Sequence, residues 1–367
     1  MQDNQTKTTC LHDQHVALGA LMSPFAGFDM PIEYKGIVEE HNAVRQAVGV
    51  FDVSHMGEVL VTGPDAQKFV NHIFTNDVTP LADGAILYGM MLLPTGGVVD
   101  DLLVYRRKAD EYFLVINAGN IDKDVAWIME NAKNFDVKID HQSEYYGELA
   151  IQGPDAERTL REVLGIDASA LGFYTFMDIT KDGEQMVVSR TGYTGEDGFE
   201  IYASCPATVR FWNQLMEAGV QPCGLGCRDT LRFEAGLPLY GDELTDEITP
   251  VEAALSMFCK LDKEEFVGKD VIAKQKAEGV QRKSVGLEIQ GPAIARHGYE
   301  VLDADDNVIG HVTTGYRSIT LGKNLAMALI DTRFAKLGTE VKVRVRRKVF
   351  PAVVVKKRFY TPNYKKA

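Results

Sequence analysis

Hydrophobic and polar positions repeat one pattern twice along the chain. Gly57–Ala66 reads GEVLVTGPDA and Gly147–Ala156 reads GELAIQGPDA, with six identities in ten at a spacing of 90. Each copy alternates like a strand, passes a Gly-Pro-Asp turn and enters a helix-like stretch, Gln67–Phe74 or Glu157–Leu164. Proline suits a helix start, because the N–H that it lacks has no partner there. Between the copies the pattern predicts strands over Ala85–Leu93, Val98–Arg106 and Tyr112–Asn117, then an amphipathic helix over Asn120–Ala132. The order β, α, β, β, β, α, β is that of an α+β unit with antiparallel pairing. No G-x-G-x-x-G follows a strand, so a nicotinamide or flavin fold is not expected. From about Lys283 the chain reads as six short strands, SVGLEI, YEVLD, VIGHVTTG, LAMALI, EVKVRV and KVFPAVVV, which predicts a small β-barrel or sandwich. The boundary is expected in the charged stretch Lys274–Lys283.

The strand VVDDLLVY carries two adjacent aspartates. Successive strand side chains point to opposite faces, so Asp100 goes with Val98, Leu102 and Val104, and Asp101 with Val99, Leu103 and Tyr105. Both faces are apolar. At least one carboxylate is therefore expected where it needs a partner or a raised pKa. On the residues alone two readings stand. Either one aspartate meets solvent while the other accepts backbone N–H groups, or one of them is catalytic.

Three further segments are richer in glycine and polar groups than packing requires. RTGYTGEDGFE, Arg190–Glu200, joins two strands by a connection longer than a hairpin needs, as binding loops and plain surface loops both do. Glu200 opens the second strand on the face of Tyr202, an anchor for a ligand edge with two donors. GLGCRDTLRFEAGLPLYG predicts a helix through Ala235 with Cys227, Leu231 and Ala235 inward. Arg228 and Arg232 stack beside that stripe at i, i+4, either in ion pairs with Asp229 or Glu234 or as a clamp for a ligand carboxylate. In FDVSHMGE, His55 is either a general base or a loop histidine bonded to backbone. No G-x-S-x-G, Walker A or H-E-x-x-H supports a hydrolase, nucleotide or metal site.

Composition narrows the classes. The 367 residues are 45% hydrophobic and 25% charged, enough for two or three domains. The net charge of −13 argues against nucleic acid as the main partner. Ten of the 39 Lys and Arg residues nevertheless fall in Val341–Ala367, where there is no acid. That stretch is either a pair of solvated strands with a tail or an electropositive patch for an anionic molecule or acidic protein. No apolar run reaches bilayer length, and the start MQDNQTKTTC lacks signal or transit character, so a cytoplasmic location is expected. Five scattered cysteines do not make a disulfide framework, and the Cys223-x3-Cys227 pair has no second half, which predicts buried thiols rather than a metal site.

Taken together, FAGFDMPIEY, GVFDVSHMGE, TNDV, GGVVDDLLVY, NAGNIDKD, QGPDA, SRTGYTGEDGFE, GLGCRDTLRFEAGLPLYG and FVGKD resemble the T-protein (aminomethyltransferase) family of the glycine cleavage system, in order and from about His12 onward. The resemblance implies a three-lobed α+β protein with antiparallel folate-binding lobes that share the repeat, and a C-terminal all-β barrel. It places the folate-binding region in 1–280, with a lobe around 52–140 inserted in the other, and the barrel in 281–367. The implied reaction moves the one-carbon unit from the S-aminomethyl-dihydrolipoyl group of H-protein to tetrahydrofolate, giving 5,10-methylene-tetrahydrofolate and ammonia. Tetrahydrofolate is then a co-substrate, the lipoyl group belongs to the partner H-protein, the P- and L-proteins are indirect partners, and no metal, flavin, nucleic acid or membrane is implied.

By the same resemblance Asp101 is the catalytic residue nearest the reacting folate nitrogens, Glu200 contacts the pteridine, and Arg228 is a ligand contact. Met56, Tyr88, Leu103, Asn117, Phe173 and Tyr193 match folate-channel positions, and Tyr364 matches a tail tyrosine that reaches the ligand. The alternative is a non-catalytic folate binder of the same fold, of the iron–sulfur assembly type. Those relatives carry K-G-C-[YF]-x-G-Q-E, which this chain lacks. The sarcosine- and dimethylglycine-oxidising relatives carry a flavin domain, for which the chain has no room, and a nucleic-acid module built on the basic tail is a remote third.

Overall fold

The structure is a computed structural model that describes residues 6–364. The first five residues and, from the basic tail, Lys365 and Lys366 lie outside the described residues.

The two copies of the repeat open into different sheets. The first copy contributes the strand Gly57–Thr62 and the helix Ala66–Ile73. Its five-stranded antiparallel sheet runs in the order Ile86–Leu92, Val98–Lys108, Glu111–Ile116, Gly57–Thr62, Lys138–His141. The second copy contributes Gly147–Gln152 and Ala156–Val163 to a six-stranded sheet. There Gly147–Gln152 lies between Gly198–Ala203 and Gly49–Asp52, with Val50 opposite Ile151. The chain thus leaves this sheet after Asp52, builds the five-stranded sheet, and returns at Gly147.

Both turns have the same physical cause. Gly63 and Gly153 sit at φ of 132° and 130°, and a Cβ there would lie 2.5 Å from the carbonyl of Asp136 or 2.4 Å from that of Ala47. Only glycine takes that conformation and that approach together. Each helix then turns its apolar stripe inward: Phe69, Val70 and Ile73 in one copy, Leu160 in the other.

The sheets meet through aromatic rings. Tyr105 and Phe113 from one pack edge-on against Tyr202 from the other, with centroids 5.9 and 5.6 Å away. Such pairs add about 0.5–1.5 kcal/mol each beyond area burial. The hydroxyls of Tyr105 and Tyr202 are 3.0 Å apart, so the polar tips also have partners. At the seam, Ile86 donates its N–H to Tyr174 and Phe176 to Gly84, which fixes the loop that carries Phe173 and Tyr174.

The six C-terminal strands close into a barrel, Arg282–Ile289, Asn324–Asp331, Val308–Arg317, Glu300–Leu302, Glu340–Val345 and Lys348–Val355 in spatial order. Closure removes the exposed edges that a sandwich would leave. Ahead of it the charged stretch expected to hold the boundary takes in the second half of a helix, Lys269–Glu278, ended by Gly279. After the last strand the chain crosses back to the α+β region. Phe359 and Tyr360 donate N–H groups to the carbonyl of Glu234, Asn363 donates to Gly195, and Tyr360 lies 4.0 Å over the guanidinium of Arg45. The C-terminal segment therefore straps the helix Leu225–Ala235 to the Arg190–Glu200 loop.

Candidate active site

A cavity of about 290 Å³ opens where the two sheets, the helix Leu225–Ala235 and the C-terminal strap converge. Asp101 stands at one end. The alternation of Val98–Lys108 turns Asp100 fully inward and Asp101 toward the cavity beside Leu103. Asp101 accepts a 2.9 Å hydrogen bond from the Tyr88 hydroxyl and another of 2.9 Å from the Asn117 side-chain amide. Asp100 accepts from the Asn117 backbone N–H, from the same Asn117 amide, and from Asn120 at 2.7 Å. One side chain, Asn117, thus bridges the two carboxylates. Burial, and then the neighbouring Asp100 carboxylate, push the pKa of Asp101 up to about 7.

Glu200 stands on the other sheet, at the second strand of the glycine-rich connection, opposite Ser189 and Ala150. Its carboxyl accepts the Thr191 hydroxyl and faces the Tyr202 hydroxyl at 3.5 Å. Burial raises its pKa, against the Thr191 bond and the charge of Arg228. The arginines of the helix separate here. Arg232 is fully buried in ion pairs with Asp229 and Glu243, at 2.6 and 2.7 Å. Arg228 faces the cavity instead, 4.5 Å over the ring of Tyr193, whose hydroxyl donates to the carbonyl of Pro238. A cation on an aromatic face at the rim of a cavity is available to an anionic ligand group.

Of the residues expected at the site, Asp101, Glu200, Arg228, Met56, Tyr88, Leu103, Asn117 and Tyr193 line this cavity. Phe173 and Tyr364 do not. They form a three-ring stack with Tyr174, with centroids 4.4 and 4.2 Å from Phe173, and of the three only Tyr174 reaches the cavity. Tyr174 takes a left-handed φ of 60°, uncommon for a side chain of its size. Phe173 packs directly behind that wall residue.

The family described as the GCVT N-terminal domain matches residues 11–263, and the glycine cleavage T-protein C-terminal barrel domain matches 282–361. The chain belongs to the glycine cleavage T-protein family. Similar relatives include an aminomethyltransferase of Caldanaerobacter subterraneus subsp. tengcongensis, 50% identical over 99% of this chain and 98% of its own length. One from Alkaliphilus oremlandii is 49% identical over 99% of this chain and all of its own. A crystal structure of the glycine cleavage system aminomethyltransferase T from Bartonella henselae superposes with a TM-score of 0.94 at 32% identity, covering 99% of this chain and 100% of that one.

Against this T-protein frame, several wall residues carried no motif. Glu148 lines the cavity, fully buried, and its Oε2 has no hydrogen-bond partner among the described residues. Burial and the nearby Glu200 and Glu58 raise its pKa far above the carboxylate range. Its signal was the repeat itself: Glu58 and Glu148 are the same position of the two copies, a carboxyl inside an apolar alternation. Lys357 and Arg358 bring the basic C-terminal stretch to the wall, whereas Lys342 and Arg344 of the same stretch pair with Asp306 and Glu300 on the barrel surface. That stretch is thus divided between cavity wall and solvated strand.

His55 is buried edge-on against Phe25 and Phe28, and its Nδ1 bonds neither backbone nor side chain among the described residues. Burial and then Arg228 push its pKa down to about 4, which keeps it neutral near pH 7. It lines a second chamber of about 230 Å³ that shares Met56, Asn117, Arg228, Leu239 and Tyr240 with the first. Cys223 and Cys227 are buried free thiols beside Glu40, whose two oxygens accept four backbone N–H groups. No helix among the described residues is long and apolar enough to cross a membrane.

Proposed function

We infer that the chain is an aminomethyltransferase that holds tetrahydrofolate in the larger chamber and receives the aminomethyl group from a lipoylated H-protein in the cytoplasm. The observation that carries this reading is the pairing of two unlike carboxyls across one apolar cavity. Glu200, buried on regular structure, suits the exocyclic amine and ring N–H that a pteridine presents side by side. Tyr88, Tyr193, Met56, Leu103 and Tyr174 supply walls for flat rings, with Phe173 and Tyr364 supporting Tyr174 from behind. Arg228, Lys357 and Arg358 are cations available to the glutamate tail.

The reaction needs charge control at the other end. N5 of the folate attacks the aminomethyl carbon and ammonia departs. The carbon–sulfur bond then breaks, releasing the dihydrolipoyl thiol and leaving an N5-iminium that N10 captures, with the N10 proton passing to a base. Asp101, its pKa pushed up to about 7 by burial and Asp100, stabilises the cation as an anion and accepts a proton within the working range. Asn117 orients it through two carboxylates at once. The adjoining chamber gives the arm a separate approach beside Met56, Asn117 and Arg228.

An assay with aminomethyl-loaded H-protein and tetrahydrofolate tests the reading. Folate-dependent release of ammonia with formation of methylene-folate is expected. Folate binding without ammonia release would favour the non-catalytic alternative.

A further inference from the structure

The helix Ile121–Asn131 turns three residues into the core, and the middle one is an acid. Ile121, Asp124 and Ile128 share the buried face. Asp124 is fully buried, and neither carboxyl oxygen has a hydrogen-bond donor among the described residues. Its neighbour across the interface is Asp100. Lys123 is next along the helix, but its ammonium lies 3.8 Å from Asp124 and is spent on the carbonyl of Val99 and the hydroxyl of Tyr240, at 3.0 Å. Two carboxylates pressed together without a donor between them are not a stable arrangement; one must keep a proton and share it with the other. Asp100 has three donors from Asn117 and Asn120, so it is the anion. Asp124 is left as the acid, a state that burial and the charge of Asp100 both favour.

We propose that Asp124 is a positioning residue for the transfer: as a neutral acid it donates a hydrogen bond to Asp100, and so fixes the negative charge that stands behind Asp101. The proposal rests on the reading of Asp101 as the catalytic carboxylate. Three carboxyls then form a line, Asp124 to Asp100 to Asp101, with Asn117 clamping the last two. The charge on Asp100 is one of the two causes that hold Asp101 near neutrality, the other being burial. The other titratable groups facing Asp101 are Tyr88 on the neighbouring strand and Tyr174 and Tyr193 from the opposite loops, all with phenol pKa values raised by burial and thus neutral. Asp124 meets Asp100, Asp101 and Lys123. Without the donor from Asp124, the charge behind Asp101 is no longer fixed and Asp101 ionises at lower pH.

Two variants and one spectrum test this. In single-turnover transfer, the acid limb of wild type lies near pH 7; in Asp124→Leu it falls by about one pH unit. In Asp124→Asn, whose amide still donates to Asp100, the limb stays. Equal limbs in all three proteins, or equal shifts in both variants, would overturn the proposal. Infrared difference spectra at pH 7.5 judge Asp124 independently of catalysis and of whether Asp124→Leu folds. Wild type minus Asp124→Asn should show a protonated-carboxyl band above the constant background of Glu58 and Glu148. No such band means that Asp124 is ionised, and the proposal fails. If Asp101→Asn retains transfer, the catalytic reading fails instead, and the infrared band still decides the protonation of Asp124.

Discussion

The two sheets begin from the same ten-residue pattern, yet they furnish opposite ends of the cavity with carboxyls in different surroundings. The five-stranded sheet presents Asp101, held by two donors, crowded by a second carboxylate, and able to change charge near pH 7. The six-stranded sheet presents Glu200, fixed by Thr191 and Tyr202 with a guanidinium in range. One end is adjustable and the other is anchored. A repeated scaffold thus leaves function to a few side chains that differ between the copies.

The sharpest way to break this comparison is to neutralise each end. Asp101→Asn should lower the transfer rate ~10²–10⁴-fold with folate still bound, because a positioned proton acceptor and cation stabiliser are lost together. Asp100→Asn should lose much less, since its partners Asn117 and Asn120 remain; quench-flow kinetics measures both. Glu200→Gln should weaken folate binding by about 1–3 kcal/mol in calorimetry. Unchanged affinity would remove Glu200 from the site.

Stability against pH sharpens the same contrast. Asp101 has a folded pKa raised to about 7 from an ordinary 3.8, so the folded state keeps a proton that the unfolded chain releases. Its penalty on stability is absent below about pH 4, grows through the interval, and is complete above about pH 7. Asp101→Asn removes the penalty. Its gain in unfolding free energy should be larger at pH 8 than at pH 5, by roughly 2–3 kcal/mol in denaturant titrations. The smallest effect is expected at Tyr364. It stacks two rings away from the wall, so Tyr364→Ala should cost folate binding about 1 kcal/mol or less.

How far the chain could be read without coordinates follows from the range of each cause. Alternation is local, and it separated the directions of Asp100 and Asp101. Helix punctuation is local too: Leu225–Ala235 ends at Gly236, which takes the left-handed conformation. The six C-terminal strands announced themselves by spacing, although only closure distinguishes a barrel from a sandwich. What was not legible depends on distant partners. Arg228 and Arg232 lie one turn apart with the same chemistry, and only Glu243 decides that Arg232 is structural. Tyr174 lines the cavity with Phe173 stacked behind it, and a left-handed φ in a loop leaves no sequence pattern for that order. The helix Lys269–Glu278 escaped notice because Ile272 is its only buried residue, and the strand Lys138–His141 because four edge residues make no pattern.

On this reading Asp101 serves the chemistry and Glu200 the binding. The most direct measurement is single-turnover ammonia release from aminomethyl-loaded H-protein as tetrahydrofolate is raised to saturation. Saturating folate should restore most of the transfer rate to Glu200→Gln and none of it to Asp101→Asn. Recovery of Asp101→Asn at high folate, with Glu200→Gln left slow, would contradict the account.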